Sequence, residues 1–148
     1  MSLLVRRAKA SDASRIRTLG LSDGAFSVSE AIPFYEEQEL VEWSNNPEPN
    51  LLFVAEEKDC LVGFFFCKII SCHWAMLDNF YVMPNERRRG ISRALMETLT
   101  IELERQSIAY LTTLVLVENE ELASLLPEHG FRKTKRYDWY EYFLDSPA

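Results

Sequence analysis

The chain has 148 residues, 47% of them hydrophobic and 26% charged, so it can bury one core of ordinary size; disordered, collagen-like and coiled-coil classes lose their compositional basis. With 16 basic and 23 acidic residues the net charge is −7, and the pI is near 4.9, which argues against bulk attraction to nucleic acid or to an anionic membrane. The longest apolar run, Cys60 to Cys67 and on to Ile70, falls well short of the roughly 20 residues a membrane helix needs. Residues 1–7 lack the apolar core and small-residue cleavage site of a signal peptide, and three cysteines without a CxxC pair suit reduced thiols, so a cytoplasmic location is expected. His73 beside Cys72 is too little for a metal site, and none is expected.

Leu3 to Arg7 reads as a strand, and Ser11 with Asp12 offers N-cap chemistry for a helix with apolar positions Ala13, Ile16, Leu19 and Leu21. A second helix is expected from Pro33, placed at its first position, through Leu40, Val41 and Trp43, until the prolines of 45–50 stop it. Leu51 to Glu56 and Cys60 to Ile70, joined by Glu57, Lys58 and Asp59, form a hairpin pattern, with Phe64, Phe65 and Phe66 as core. Trp74 to Val82 follows as a strand, Pro84 to Glu86 as a break, and Ile91, Ala94, Leu95, Leu99 and Leu103 recur at helical spacing from Gly90 onward. Tyr110 to Val117 is strand-like, and Asn119 caps a helix bearing Leu122, Leu125 and Leu126, which Pro127 is expected to shorten. Gly130 and Phe131 open a last extended region reaching Leu144. No internal repeat or linker divides residues 1–148, which read as one domain.

The chemistry sits between the strand ending at Val82 and the helix starting at Gly90. Arg87, Arg88, Arg89 and Arg93 put positive charge at a helix N-terminus, which already carries partial positive charge and unpaired N–H groups. A phosphate or pyrophosphate seated on the amides of residues 88 to 93, with Gly90 permitting close approach, would satisfy both; a solvated basic helix start is the equal alternative.

This segment resembles the acetyl-CoA site of the GNAT superfamily of N-acetyltransferases. Its pattern R/Q-x-x-G-x-G/A is matched at Arg87 and Gly90, while Ser92 stands where Gly or Ala is usual. The resemblance extends through Val54 to Glu56, Leu61 to Phe64, Leu77 to Pro84, and Asn119 with Gly130 and Phe131; Leu77 to Met83 is also similar to the diamine and polyamine branch. It implies a single α/β domain whose mixed central sheet is splayed between its fourth and fifth strands, with helices on both faces. Acetyl-CoA, as cosubstrate, would then lie on the backbone of Phe80, Tyr81 and Val82, with its pyrophosphate on Arg87, Arg88, Arg89, Gly90, Ile91, Ser92 and Arg93, and Asn119 nearby. Asp78 takes the position of the carboxylate that accepts the amine's proton, against the reading of an exposed strand residue paired with a neighbour.

The resemblance further implies direct attack by a primary amine, small and polyamine-like or a lysine or N-terminal amine, in a ternary complex. The family's tyrosine acid is replaced by Leu126, and Ser124, His129, Tyr137 and Tyr140 have no spacing that favours one of them as substitute. Leu126 motivates the rival reading, a non-catalytic acyl-CoA-binding sensor or partner module. Glutamates from Glu30 to Glu57, including Glu36 to Glu42, predict an acidic mouth that favours cationic acceptors, and the aromatic stretch Tyr137 to Phe143 reads as packing, an acceptor lining or the edge of a possible homodimer.

Overall fold

The computed structural model describes residues 2–23, 31–87 and 90–145. Arg88, Arg89 and Glu30, which the sequence reading assigns to the phosphate site and the acidic mouth, lie outside them. Five strands, β1 (Leu3–Arg7), β2 (Leu51–Glu57), β3 (Cys60–Ile69), β4 (Trp74–Val82) and β5 (Tyr110–Thr113), form one sheet in chain order. The first four are antiparallel, and β5 joins β4 in parallel. Among the described residues there are four α-helices: α1 (Ala13–Leu21), α2 (Glu37–Asn45), α3 (Ile91–Arg105) and α4 (Glu120–Glu128).

Period-two alternation assigns the two faces. Phe53, Phe65, Leu77, Phe80 and Val82 pack with Ile91, Leu95, Leu99 and Leu103 of α3. Phe64, Phe66 and Tyr81 pack on the opposite face with Ile16 and Leu19 of α1 and Leu40 of α2. The three successive phenylalanines of β3 are therefore core on alternate sides, each worth about 1.5–3 kcal/mol on burial. The β2–β3 turn is built from Lys58 and Asp59, both at positive φ (53° and 62°), as a two-residue hairpin with primed geometry requires.

Several expectations shift for physical reasons. Asp12 precedes α1 but does not cap it; its carboxylate is taken by Arg6 at 2.8 and 3.2 Å and by the Lys9 N–H at 2.7 Å. Burial opposes ionisation of Asp12, yet these hydrogen bonds and the Arg6 charge hold its carboxyl below the usual value. Leu21 is exposed, and Gly20 takes its expected place in the core: a Cβ there would come within 2.4–2.5 Å of the Phe34 ring. Because Phe34 and Tyr35 fill that space as irregular chain, α2 begins at Glu37 rather than at Pro33, and the Glu36 N–H donates to Glu39 Oε2 at 3.3 Å. Pro127 lies inside α4, whose helix continues to Glu128. β5 ends at Thr113, and residues 131–143 form no strand ladder, so the expected last strand is absent among the described residues. The cysteines are free, and no described helix is long and apolar enough to cross a membrane.

Candidate active site

β4 and β5 pair from Trp74–Tyr110 to Leu77–Thr113 and then part. The parting coincides with an irregularity in the β3–β4 ladder. Phe66 faces Asn79 and Cys67 faces Leu77, which leaves Asp78 without a residue opposite it, as in a β-bulge. The strands thus open at the residue singled out as a base, and a cleft of about 890 Å³ fills the gap. Its walls include Leu77 to Phe80 and Val82 on one side, Thr113 to Val117 on the other, and Gly90, Ser92, Asn119, Leu125 and Leu126 at its helical end.

The ladder decides which main-chain groups face this cleft. The Met83 N–H bonds Val62 O at 2.9 Å; by alternation Tyr81 turns its main-chain groups to β3, while Phe80 and Val82 turn theirs away from it. Tyr81 accordingly belongs to the α1–α2 core and does not line the cleft, whereas Phe80 and Val82 do. This corrects the expectation that three consecutive residues would face a ligand. Val82 O already accepts from Arg87 Nε at 3.0 Å.

At the helical end, Gly90 caps α3 at φ +81°, a left-handed conformation costly for side-chain-bearing residues, and open space surrounds the position a Cβ would take. Ile91 is buried, and it anchors the first turn of α3 beside Gly63. The amides of Ile91, Ser92 and Arg93 belong to that first turn, where a helix has no internal acceptors for them. Arg93 is exposed, and Ser92 Oγ lies 3.4 Å from His129 Nε2. Arg87 is held elsewhere than expected: its Nη1 meets Glu121 Oε2 of α4 at 2.7 Å. Asn119 caps α4 by accepting the Leu122 N–H at 3.1 Å, so its oxygen is committed to the helix.

Asp78 is mostly buried, and burial raises its carboxyl pKa; Lys68 Nζ stands 3.8 Å from Oδ2 without offsetting this. Leu126 is 8% exposed and lines the cleft at the place where the resemblance calls for an acid. Ser124 spends its hydroxyl on Glu121 O. Tyr137 reaches the cleft wall, and Tyr140 is not part of it. The acids expected to form an acidic mouth do not line the cleft: none of Glu36 to Glu57 does, and Glu36 sits instead 3.6 Å from Arg17. The acidic residues that do line it are Asp23, Asp78, Glu86, Glu121, Glu128, Asp138 and Glu141. Asp23, Asp138 and Glu141 are brought there by tertiary structure, and no local spacing announces them.

Comparison with known proteins agrees with this geometry. The chain is 32% identical over 98 residues to the [ribosomal protein bS18]-alanine N-acetyltransferase of Escherichia coli; the match spans 66% of this chain and 66% of that enzyme. The PaiA N-acetyltransferase of Thermoplasma acidophilum, solved with coenzyme A, superposes with a TM-score of 0.77 at 19% identity, covering 93% of this chain and 94% of that one. The aminoglycoside enzyme AAC(6')-Iy, solved with a CoA bisubstrate analogue, gives 0.75 at 15% identity over 97% and 99%. At these identities the two structures speak for the fold alone. The family model described as Acetyltransferase (GNAT) family matches residues 3–131, and the chain belongs to that family.

Proposed function

We propose that the protein transfers acetyl from acetyl-CoA to a cationic primary amine by direct attack in a ternary complex. The observation that carries this reading is the opening of β4 from β5 at Asp78, which sets a carboxylate of raised pKa at the mouth of a cleft ending on the first turn of α3. The pyrophosphate is assigned to the N–H groups of Ile91, Ser92 and Arg93 with Gly90 giving access, and Arg87 to Arg89 and Arg93 supply charge. The pantetheine arm is assigned to the main-chain groups of Phe80 and Val82, with Asn119 as a neighbour that fixes the opposite wall.

Asp78 takes a proton from the incoming ammonium, the free amine forms the C–N bond at the thioester carbon, the C–S bond breaks, and the second proton leaves the nitrogen for water or for the departed thiolate. With Leu126 in place of an acid, CoA leaves as a thiolate, which a thiol pKa of about 8.5 makes tolerable. Positioning supplies most of the rate. Acceptors to test first are polyamines, an aminoglycoside, and a peptide with an N-terminal alanine, because relatives act on the latter two chemistries and the acidic lining favours cations. A cytoplasmic location and a homodimer formed through the exposed aromatic stretch Tyr137 to Phe143 belong to the same reading. Free thiol released with an amine panel tests it, with calorimetry against CoA alongside. CoA binding with no thiol release from any amine would favour the sensor reading that Leu126 motivates.

A further inference from the structure

Lys68 occupies an unusual place. Its Nζ lies 3.8 Å from Asp78 Oδ2, 5.7 Å from the centroid of the Tyr35 ring and 5.9 Å from that of Phe66. One carboxylate and two aromatic faces are the parts of an alkylammonium site. The rings are fixed in advance: Phe66 stacks on Trp43 at 4.3 Å, and Tyr35 meets Trp43 edge-on at 4.9 Å and Phe66 at 5.5 Å. The Tyr35 hydroxyl is buried and has no hydrogen-bond partner among the described residues. The lysine itself is held loosely, since its side chain is 41% exposed and 3.8 Å is beyond hydrogen-bond length; a pair of this kind contributes about 0–1 kcal/mol.

We propose that Lys68 is a built-in occupant of the acceptor's ammonium seat, and that an amine acceptor binds by displacing Lys68 Nζ from between Asp78, Tyr35 and Phe66. This rests on the acetyltransferase reading and adds to it where the acceptor's cation lies and what competes for that place. The seat suits an alkylammonium on a slender stem, because the group that holds it in this structure is one. Asp78 is shared by the seat and the cleft, so an ammonium held there stands beside the group that takes its proton. Lys68 thereby discriminates against weakly charged amines, which gain too little to displace it.

The test measures binding of n-pentylamine to the full-length CoA complex by calorimetry, with pentan-1-ol as a neutral isostere. Lys68→Met should bind pentylamine about two- to fivefold more tightly than the natural protein, with pentanol unchanged. Lys68→Arg, which keeps the cation, should bind it no more tightly than the natural protein, and Lys68→Met combined with Asp78→Asn should lose the gain. In turnover, Lys68→Met should lower KM for amines more than it changes kcat. Unchanged or weaker pentylamine binding in Lys68→Met, or an equal gain for pentanol, overturns the seat. Absence of thiol release with every amine would instead overturn the catalytic reading, and the binding measurements would still judge the seat.

Discussion

Arg87 Nη1 and Glu121 Oε2, 34 residues apart, are 2.7 Å from one another, and they bridge the turn after β4 to the first turn of α4 at the edge of the cleft. The bridge is largely exposed and contributes at most about 1 kcal/mol, yet it engages a cation assigned to the cofactor's phosphates. Glu121→Gln should therefore tighten CoA binding by up to about fivefold, and the gain should vanish at high salt. Calorimetry at two ionic strengths checks this; weaker binding in Glu121→Gln would mean that the bridge positions Arg87 for the phosphates.

Gly90 separates backbone from charge. Gly90→Ala meets no atom within 4 Å but must hold φ near +81°, at a cost of about 1–2 kcal/mol, so it should fold with reduced stability and bind CoA several-fold more weakly. Gly90→Glu adds a negative charge beside the phosphates and should abolish binding. Equal dissociation constants for the two variants would remove charge from the account of this turn.

Asp78 ties activity to pH and to stability with opposite signs. Its folded-state pKa is raised, so the folded chain retains a proton over the window above the ordinary carboxylate value, and stability falls as pH rises through that window. On the proposed base role, activity needs the ionised form and should fall as pH drops through the same window. Asp78→Asn should lower kcat about a hundredfold, remove this acidic limb and melt above the natural protein at pH 7. A kcat profile that keeps its acidic limb in Asp78→Asn would assign the base to another residue.

The cysteines should react in two classes. Burial pushes the Cys67 thiol up to about 12, whereas Cys60 and Cys72 are exposed. An aromatic disulfide reagent at pH 8 should titrate Cys60 and Cys72 in the native protein and Cys67 only in denaturant. Rapid native labelling of Cys67 would contradict the packing of β3.

What could be foreseen followed the range of the signal. Trp74–Val82 has the bounds expected of it, and α3 starts after Gly90 and α4 after Asn119, because alternation, a left-handed glycine and an Asn cap act over a few residues. Tyr110 to Val117 has uniform strand propensity, yet only Tyr110–Thr113 pairs, since the ladder ends where β4 bulges and nothing local to β5 records that. Nothing near Arg87 in the sequence announces its pairing with Glu121, which lies 34 residues on. Lys68 is singled out by nothing in the sequence, for the same reason: Tyr35 and Asp78 reach it only through the folded sheet.

Gly20 gives position 20 an influence out of proportion to its distance from the chemistry. Phe34 rests where a methyl group on α1 would be, and the next residue, Tyr35, carries one wall of the ammonium seat. A side chain at position 20 forces the Phe34 ring to shift, and Phe34 is in ring contact with Tyr35 at 5.1 Å. On the proposed ammonium seat, the back of α1 therefore acts as a remote set-screw for acceptor choice: Gly20→Ala, a change of a single carbon, bears on the seat through Phe34 and Tyr35 without touching the cleft residues themselves.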